Sequence, residues 1–269
     1  MNSASSHSYE GSAQHFDVAV IGGGQAGLAI GHFLRQEGCR FVILERASEL
    51  APAWRERWDS LTLFTPRRYS ALSGVAFPGD PDEYPTRDEV IAYLERYAET
   101  FQLPIELNSE AKKLELGEDG RFRLELEDRA ITADQVVVAT GPFQSPFVPK
   151  LAERLAPEVF QVHATGYRRA DEVPPGNVLV IGGGNTGYQI AKELSATHKV
   201  ALSIGSRQNT LAATPARTRP LLVAGEGPNS RQVSRNASRA TPEHEGDADR
   251  LEPTRAQAAL WGRAETARG

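Results

Sequence analysis

Two short runs of apolar residues, Val18-Ala19-Val20-Ile21 and Val178-Leu179-Val180-Ile181, contrast with a chain that elsewhere mixes apolar and polar positions. Runs of this length without alternation fit strands buried on both faces, as in a parallel sheet. Each is followed by a helical stretch, Leu28 to Gln36 and Tyr188 to Ala196, and then by a further strand pattern, Arg40-Phe41-Val42-Ile43-Leu44 and Lys199-Val200-Ala201-Leu202-Ser203-Ile204. Strand, helix, strand, occurring twice, predicts an α/β fold. Between the two units Thr86-Arg87-Asp88-Glu89 opens an amphipathic helix whose apolar face is Val90, Ile91, Leu94, Tyr97 and Ala98. Asp88 and Glu89 suit its first turn, where a helix favours negative charge. Then Ala111 to Leu116, Arg121 to Glu127 and Ile131 to Ala139, with Glu118-Asp119-Gly120 as a turn, predict a small antiparallel meander.

The linker from strand to helix is the same glycine pattern in both units, Gly22-Gly23-Gly24-Gln25-Ala26-Gly27 and Gly182-Gly183-Gly184-Asn185-Thr186-Gly187. G-x-G-x-x-G alone is weak, but each copy follows a strand pattern and opens a helix, the setting in which it binds a pyrophosphate. The glycines permit a tight turn, close backbone approach and close helix-strand packing, and the helix N-terminus offers unpaired N–H groups. Both units therefore read as Rossmann-like dinucleotide-binding domains, the second incomplete.

The end of each unit's second strand separates the two sites. The first unit's second strand ends in Glu45, where a carboxylate can accept hydrogen bonds from both ribose hydroxyls and would repel a 2'-phosphate. The second unit's ends in Gly205-Ser206-Arg207, a hydroxyl and a guanidinium suited to a 2'-phosphate. The first site thus reads as FAD or NAD and the second as NADPH in preference to NADH. A solvated surface arginine is the alternative for Arg207.

With the strand Asp134 to Gly141, the chain resembles the flavin-containing monooxygenase superfamily, the class B flavoprotein monooxygenases, in its bacterial and plant YUCCA-like branch. The matching segments are Gly22 to Gly27, Glu45-Arg46, Trp54 to Leu61, Phe64-Thr65-Pro66, Phe77-Pro78, Tyr84-Pro85 with the helix Asp88 to Phe101, Ala139-Thr140-Gly141 and the second fingerprint, from about residue 16 to about 210. The resemblance implies FAD at the first unit, held by Gly22, Gly24, Gln25, Ala26, Gly27, Glu45 and Arg46 with Trp54 beside it. It implies a hinge at Thr140 and Gly141, and NADPH at Gly182, Gly184, Asn185, Thr186, Gly187, Ser206 and Arg207. It also implies the chemistry: NADPH reduces the flavin, and reduced flavin with O2 forms a C4a-hydroperoxide that oxygenates a small organic substrate. The protein's part is to orient the cofactors and exclude water, and no acid-base catalytic residue is identified. One element departs from the family. Of F-x-G-x-x-x-H followed by an aromatic, only His163 and Tyr167 are present, with Pro157 and Val159 in the Phe and Gly places. His163 is either a linker histidine bonded to backbone or a part of NADPH binding or domain positioning.

Composition narrows the classes. The net charge of -5, with signs interspersed, gives no basic field for nucleic acid. No apolar stretch is long enough to cross a membrane, and Met1 to His15 is polar without the core of a secretory signal. A single cysteine, Cys39, read as a small buried group, excludes a dithiol reductase and fits a reducing cytoplasm. No metal-ligand spacing is present. Residues 47 to 80 read as irregular, with Trp54, Trp58, Phe64, Tyr69 and Phe77 interleaved with Arg55, Arg57, Arg67 and Arg68. These aromatics either line a flavin and nicotinamide pocket or form a satellite core under a loop; the resemblance favours the pocket.

The expected order is a disordered leader over 1–15, an FAD-binding domain over 16–150, a linker over 151–174, a partial NADPH-binding domain over 175–210 and a disordered tail over 211–269. Beyond about Asn209 the apolar periodicity ends, Lys199 is the last lysine and Trp261 the only aromatic after Tyr188. Such a change predicts a truncation or reading-frame shift, with no second Ala-Thr-Gly strand to close the flavin site. The competing readings are an inactive nucleotide-binding remnant and an uncoupled NADPH oxidase or flavin reductase.

Overall fold

The computed structural model describes residues 13–143 and 145–205. They fall in one compact unit, residues 1–210; the leader before residue 13, Ser206, Arg207 and the tail lie outside the described residues. The strand β1 (Gln14–Ile21), helix α1 (Gln25–Gln36) and strand β2 (Phe41–Leu44) form the first strand-helix-strand unit. β1 takes in Gln14 and His15, which the sequence pattern leaves in the leader, because they pair with Ile131 and Thr132 of a later strand.

Two four-residue helices, α2 (Pro52–Arg55) and α3 (Arg67–Ser70), lie in the stretch read as irregular, each too short to show a period. Helix α4 (Arg87–Thr100) begins where its acids predict. Thr86 caps it by accepting from the Glu89 backbone while the Glu89 carboxylate accepts from the Thr86 N–H, a reciprocal capping box.

The remaining strands are β3 (Ile105–Glu106), β4 (Lys113–Leu116), β5 (Phe122–Glu125) and β6 (Ala130–Val138). They join β1 and β2 in one six-stranded sheet of order β3-β2-β1-β6-β5-β4. β4, β5 and β6 are the expected antiparallel meander, and it forms one side of this sheet. β6 pairs antiparallel with β5 on one edge and parallel with β1 along Gln14 to Ile21 on the other. β1 and β2 are buried on both faces. Val18, Val20, Phe41 and Ile43 pack with Leu28, Leu94 and Tyr97, while Ala19, Val42 and Leu44 meet Leu124, Ile131 and Ala133. Each fully buried leucine contributes roughly 2 kcal/mol, so this double-sided core fixes the sheet.

The second unit is β7 (Asn177–Ile181), α5 (Asn185–Leu194) and β8 (Lys199–Ser203). β7 and β8 pair in parallel as a two-stranded sheet. One helix covers one face, with Ile190 and Leu194 against Val178, Val180 and Val200. Leu179 and Ile181 on the other face are 59% and 64% exposed. Burial on both faces, expected from the apolar run, thus fails for β7 among the described residues. No described helix is long and apolar enough to cross a membrane.

Candidate functional site

The two glycine loops have nearly the same shape. Gly22 and Gly182 leave their strands at φ of +111° and +121°, conformations that L side chains rarely adopt. Their N–H groups donate to the carbonyls of Leu44 and Ser203, which ties each turn to the neighbouring strand. A Cβ on Gly27 or Gly187 would collide with the carbonyl oxygen of Gly22 or Gly182, so the third glycine is required by packing. The middle glycines differ. Gly24 and Gly184 have ordinary extended backbone, and a Cβ on either would meet nothing within 4 Å. Nothing in the described protein requires glycine there; a group approaching the backbone from outside would.

Both helix N-termini are open in the same sense. α1 and α5 have glycine N-caps, no capping side chain and no acid in the first turn. α4, by contrast, has its cap and two acids. An N-terminus with its N–H groups and positive dipole end uncompensated is suited to an anion. Gln25, Ala26, Asn185 and Thr186 belong to these first turns.

Around the first loop the chain adds a carboxylate and a wall. Glu45, 5% exposed, accepts from the Gly23 N–H through Oε2 at 2.8 Å and from the Ala47 N–H through Oε1 at 2.9 Å. A carboxylate has about four lone-pair sites, so two remain for further donors. Arg46 beside it is exposed. On the other side a Cβ on Gly22 would come within 2.5 Å of the Ala139 carbonyl oxygen and 3.2 Å of the Thr140 nitrogen. The structure thus brings the Ala-Thr-Gly turn against the first fingerprint. Gly141, at φ +77°, has open space around it.

A cavity of about 200 Å³ adjoins this loop, with Gln25, Trp54, Leu63, Phe64, Tyr69 and Tyr93 in its lining. The aromatics of 47–80 divide between the two readings: Trp58 and Phe77 are buried in the core, Phe77 also faces the cavity, and Trp54, Phe64 and Tyr69 line it. The Tyr93 hydroxyl donates to the Val75 carbonyl and accepts from the Leu72 N–H, and the Tyr97 hydroxyl donates to the Ser73 carbonyl. Burial pushes Tyr97 up to about 12 and Tyr93 upward, so both remain donors at neutral pH. The arginines do structural work. Arg55 pairs with Glu95, Arg68 with Asp82, and Arg67, nearly buried, with Glu89 and Glu83. Arg57 lies 4.6 Å over the Phe143 ring, just beyond the Ala-Thr-Gly turn. These long-range carboxylate partners have no signature in the sequence.

The second loop has fewer neighbours. Gly182 has nothing within 4 Å of its added Cβ, and no described strand lies where β6 flanks the first loop. Its candidate 2'-phosphate residues Ser206 and Arg207 lie outside the described residues. His163 is exposed, with Nδ1 2.9 Å from the Thr165 hydroxyl and accepting from the Thr165 N–H, a local turn. Tyr167, 4% exposed, packs with Trp58 and Leu61 and with Ile190 and Leu194 of α5. Cys39 is half-buried in the turn before β2, less enclosed than its residue type suggests, because it precedes the strand.

Two Rossmann-like strand-loop-helix-strand elements within one unit, the first with a buried carboxylate beyond its second strand, define the class of fold. A family model described as pyridine nucleotide-disulphide oxidoreductase matches residues 19–220. An uncharacterized oxidoreductase of Geobacillus kaustophilus, CzcO-like, is 48% identical over 195 residues, covering 72% of this chain and 56% of that protein. The probable indole-3-pyruvate monooxygenase YUCCA9 of Arabidopsis thaliana is 32% identical over 205 residues, covering 71% and 47%. Among solved structures, the flavin-containing monooxygenase from Stenotrophomonas maltophilia superposes with a TM-score of 0.69 at 35% identity, covering 74% of this chain and 60% of that one. The chain belongs to the pyridine nucleotide-disulphide oxidoreductase family and to the flavin-containing monooxygenase superfamily. It spans about half the length of the curated relatives it matches. The family description mentions a disulphide, but Cys39 is the single cysteine of this chain, so a redox pair cannot form within it.

Proposed function

We propose that the first fingerprint holds FAD, that the second holds NADPH, and that the activity is that of a flavoprotein monooxygenase acting with O2 on a small organic substrate. The observation that carries the reading is the open space before Gly24 and Gly184, which gives those glycines no role inside the protein and a clear one toward a pyrophosphate. Glu45 has lone pairs left for the adenosine ribose and disfavours a 2'-phosphate. Gly22, Gln25, Ala26 and Gly27 form the first pyrophosphate turn, with exposed Arg46 at its edge. The cavity walled by Trp54 takes the far end of that dinucleotide, and Thr140 and Gly141 line the turn between the sites. Gly182, Gly184, Asn185, Thr186 and Gly187 form the second turn, with Ser206 and Arg207 for the 2'-phosphate. When bound, a flavin reduced by a nicotinamide supplies the activation of O2. The chain's residues bind, orient and exclude water. The unpaired Cys39 is consistent with a reducing cytoplasm.

A second reading, an oxidase that releases peroxide, is supported by the exposed apolar residues Leu179, Ile181, Phe143 and Phe147 around the second unit and the turn. The deciding experiment is flavin content. The purified chain, reconstituted with FAD, is expected to be yellow and to release flavin on denaturation, and Glu45→Ala to lose most of it. Colourless protein under saturating FAD overturns the assignment. Peroxide formed per NADPH consumed separates the two activities.

A further inference from the structure

α5 begins at the second fingerprint, and its side chains Gln189 and Glu193 reach across to the wall of the first site. The Gln189 amide contacts both backbone groups of one residue: Nε2 donates to the Thr62 carbonyl at 2.7 Å, and Oε1 accepts from the Thr62 N–H at 3.1 Å. One turn further on, Glu193 accepts from the Ser60 hydroxyl at 2.6 Å and from the Ala170 N–H at 3.3 Å. Beneath them Ile190 and Leu194 pack on Trp58, Leu61 and Tyr167, and the Asp59 N–H donates to the Arg168 carbonyl. The proximity of Glu193 and burial hold the Tyr167 hydroxyl upward of its ordinary range, burial being the larger cause.

Segment 61–63 is held on both edges. On one side Thr62 forms a β-bridge to Thr86, with the Leu63 N–H donating to the Pro85 carbonyl and the Arg87 N–H to the Leu61 carbonyl. On the other side the Gln189 amide stands where another strand would. An amide can do this because it donates and accepts at once through two separate atoms, whereas a carboxylate cannot donate and an apolar chain does neither. Leu63 of this segment lines the cavity next to the first fingerprint, together with Trp54.

We propose that Gln189 and Glu193 are positioning residues that latch α5, and with it the second nucleotide's turn, onto segment 60–62, and so set the separation of the two nucleotide sites. The inference rests on the cofactor reading above for its functional consequence, though not for its geometry. The side-chain hydrogen bonds of both residues go to Ser60, Thr62 and Ala170, outside both glycine loops, so the latch acts on the distance between sites rather than on binding at each.

The test measures that distance directly. Spin labels are placed on exposed positions of the two units, Glu37→Cys and Lys199→Cys in a Cys39→Ser background of the full chain. A narrow distance distribution is expected in the parent. Gln189→Met with Glu193→Ala should broaden it at least twofold, with far-ultraviolet circular dichroism unchanged, and Gln189→Met alone should broaden it less. A distribution as narrow in the double variant as in the parent overturns the latch, whatever the chain binds. With both nucleotides bound, the anaerobic rate of flavin reduction at saturating NADPH should fall at least tenfold in the double variant while the Kd for NADPH stays within twofold; an unchanged rate overturns the positioning role. Loss of flavin from a chain whose label distance is intact overturns the cofactor reading instead and leaves the latch standing.

Discussion

The two fingerprints share their turns and differ in everything around them. Gly22 and Gly182, Gly24 and Gly184, Gly27 and Gly187 take matching conformations, and each loop opens a helix without cap or first-turn acid. Yet the first loop lies in a six-stranded sheet, against Ala139 and Thr140 and beside Glu45, whereas the second belongs to a two-stranded sheet with Leu179 and Ile181 exposed. A six-residue pattern suffices to build the same turn twice. It does not supply the wall, the ribose partner or the core that make a turn into a site.

The largest effect expected from this contrast is at the third glycine. Gly27→Ala and Gly187→Ala introduce the same collision with a carbonyl oxygen, and such overpacking costs about 3 kcal/mol when backbone must move. For Gly27 that cost falls on the double-sided core and should lower global stability in a denaturant titration by about that amount. For Gly187 it should appear in native-state hydrogen exchange as lost protection over β7, α5 and β8, with β1, β2 and α4 unchanged. Equal global losses would show that the two sheets unfold as one unit and would erase the contrast.

Next in size is the brace on the first site that the second lacks. Glu89 caps α4 and pairs with Arg67, whose side chain is 7% exposed. Glu89→Ala removes a cap contribution of about 1 kcal/mol. It also leaves Arg67 with only Glu83, 3.5 Å away and 71% exposed, so the total loss should be about 2 kcal/mol, the charged hydrogen bond adding to the cap. A denaturation midpoint unchanged from the parent would show that Glu83 alone satisfies Arg67.

These cases mark what the sequence could reveal. The strand runs at Val18 and Val178, the glycine turns and the acids at the start of α4 act within a few residues, and the sequence pattern locates them. β3 is two residues long and carries no period, although it pairs with β2 at Ile43 and Leu44. The partners of Arg55 and Arg67 lie well away in the chain, and Gln189 meets Thr62 across 127 positions. Interactions of that kind depend on the folded path, and a run such as Val178 to Ile181 does not say whether its second face will be covered.

The middle glycines sharpen the comparison from the opposite side, since here the loops should behave alike. With no protein atom within 4 Å of either added Cβ, Gly24→Ala and Gly184→Ala should change stability by less than about 0.5 kcal/mol. If pyrophosphates approach these positions, FAD affinity in the first variant and NADPH affinity in the second should each fall at least tenfold, about 1.4 kcal/mol. Calorimetric titration of each nucleotide checks this. Unaltered affinities would return both glycines to the status of ordinary turn residues.

The smallest effect separates α4 from the two helices with uncapped N-termini, α1 and α5, by pH. The Thr86 N–H, and after it the Arg67 guanidinium, favour the ionised Glu89 carboxylate and hold it below its ordinary range, against an opposing contribution from burial. A carboxylate whose folded pKa lies below its unfolded value of roughly 4.3 contributes stability that is present above that value and is lost as pH falls through the folded one. The parent should therefore lose stability from this group between about pH 5 and pH 3. Glu89→Gln, which keeps an acceptor for the cap, should not. Because the Glu89 side chain is 43% exposed, solvent screens the interaction and the difference should stay under about 1 kcal/mol. α1 and α5 have no acid in their first turns, so amide protection at their N-termini should not respond to this titration. The measurement is the denaturation midpoint of parent minus Glu89→Gln at pH 5 and pH 3. A gap that is the same at both pH values would mean that Glu89 serves the cap through its shape and acceptor alone, and that its charge does not distinguish α4 from α1 and α5.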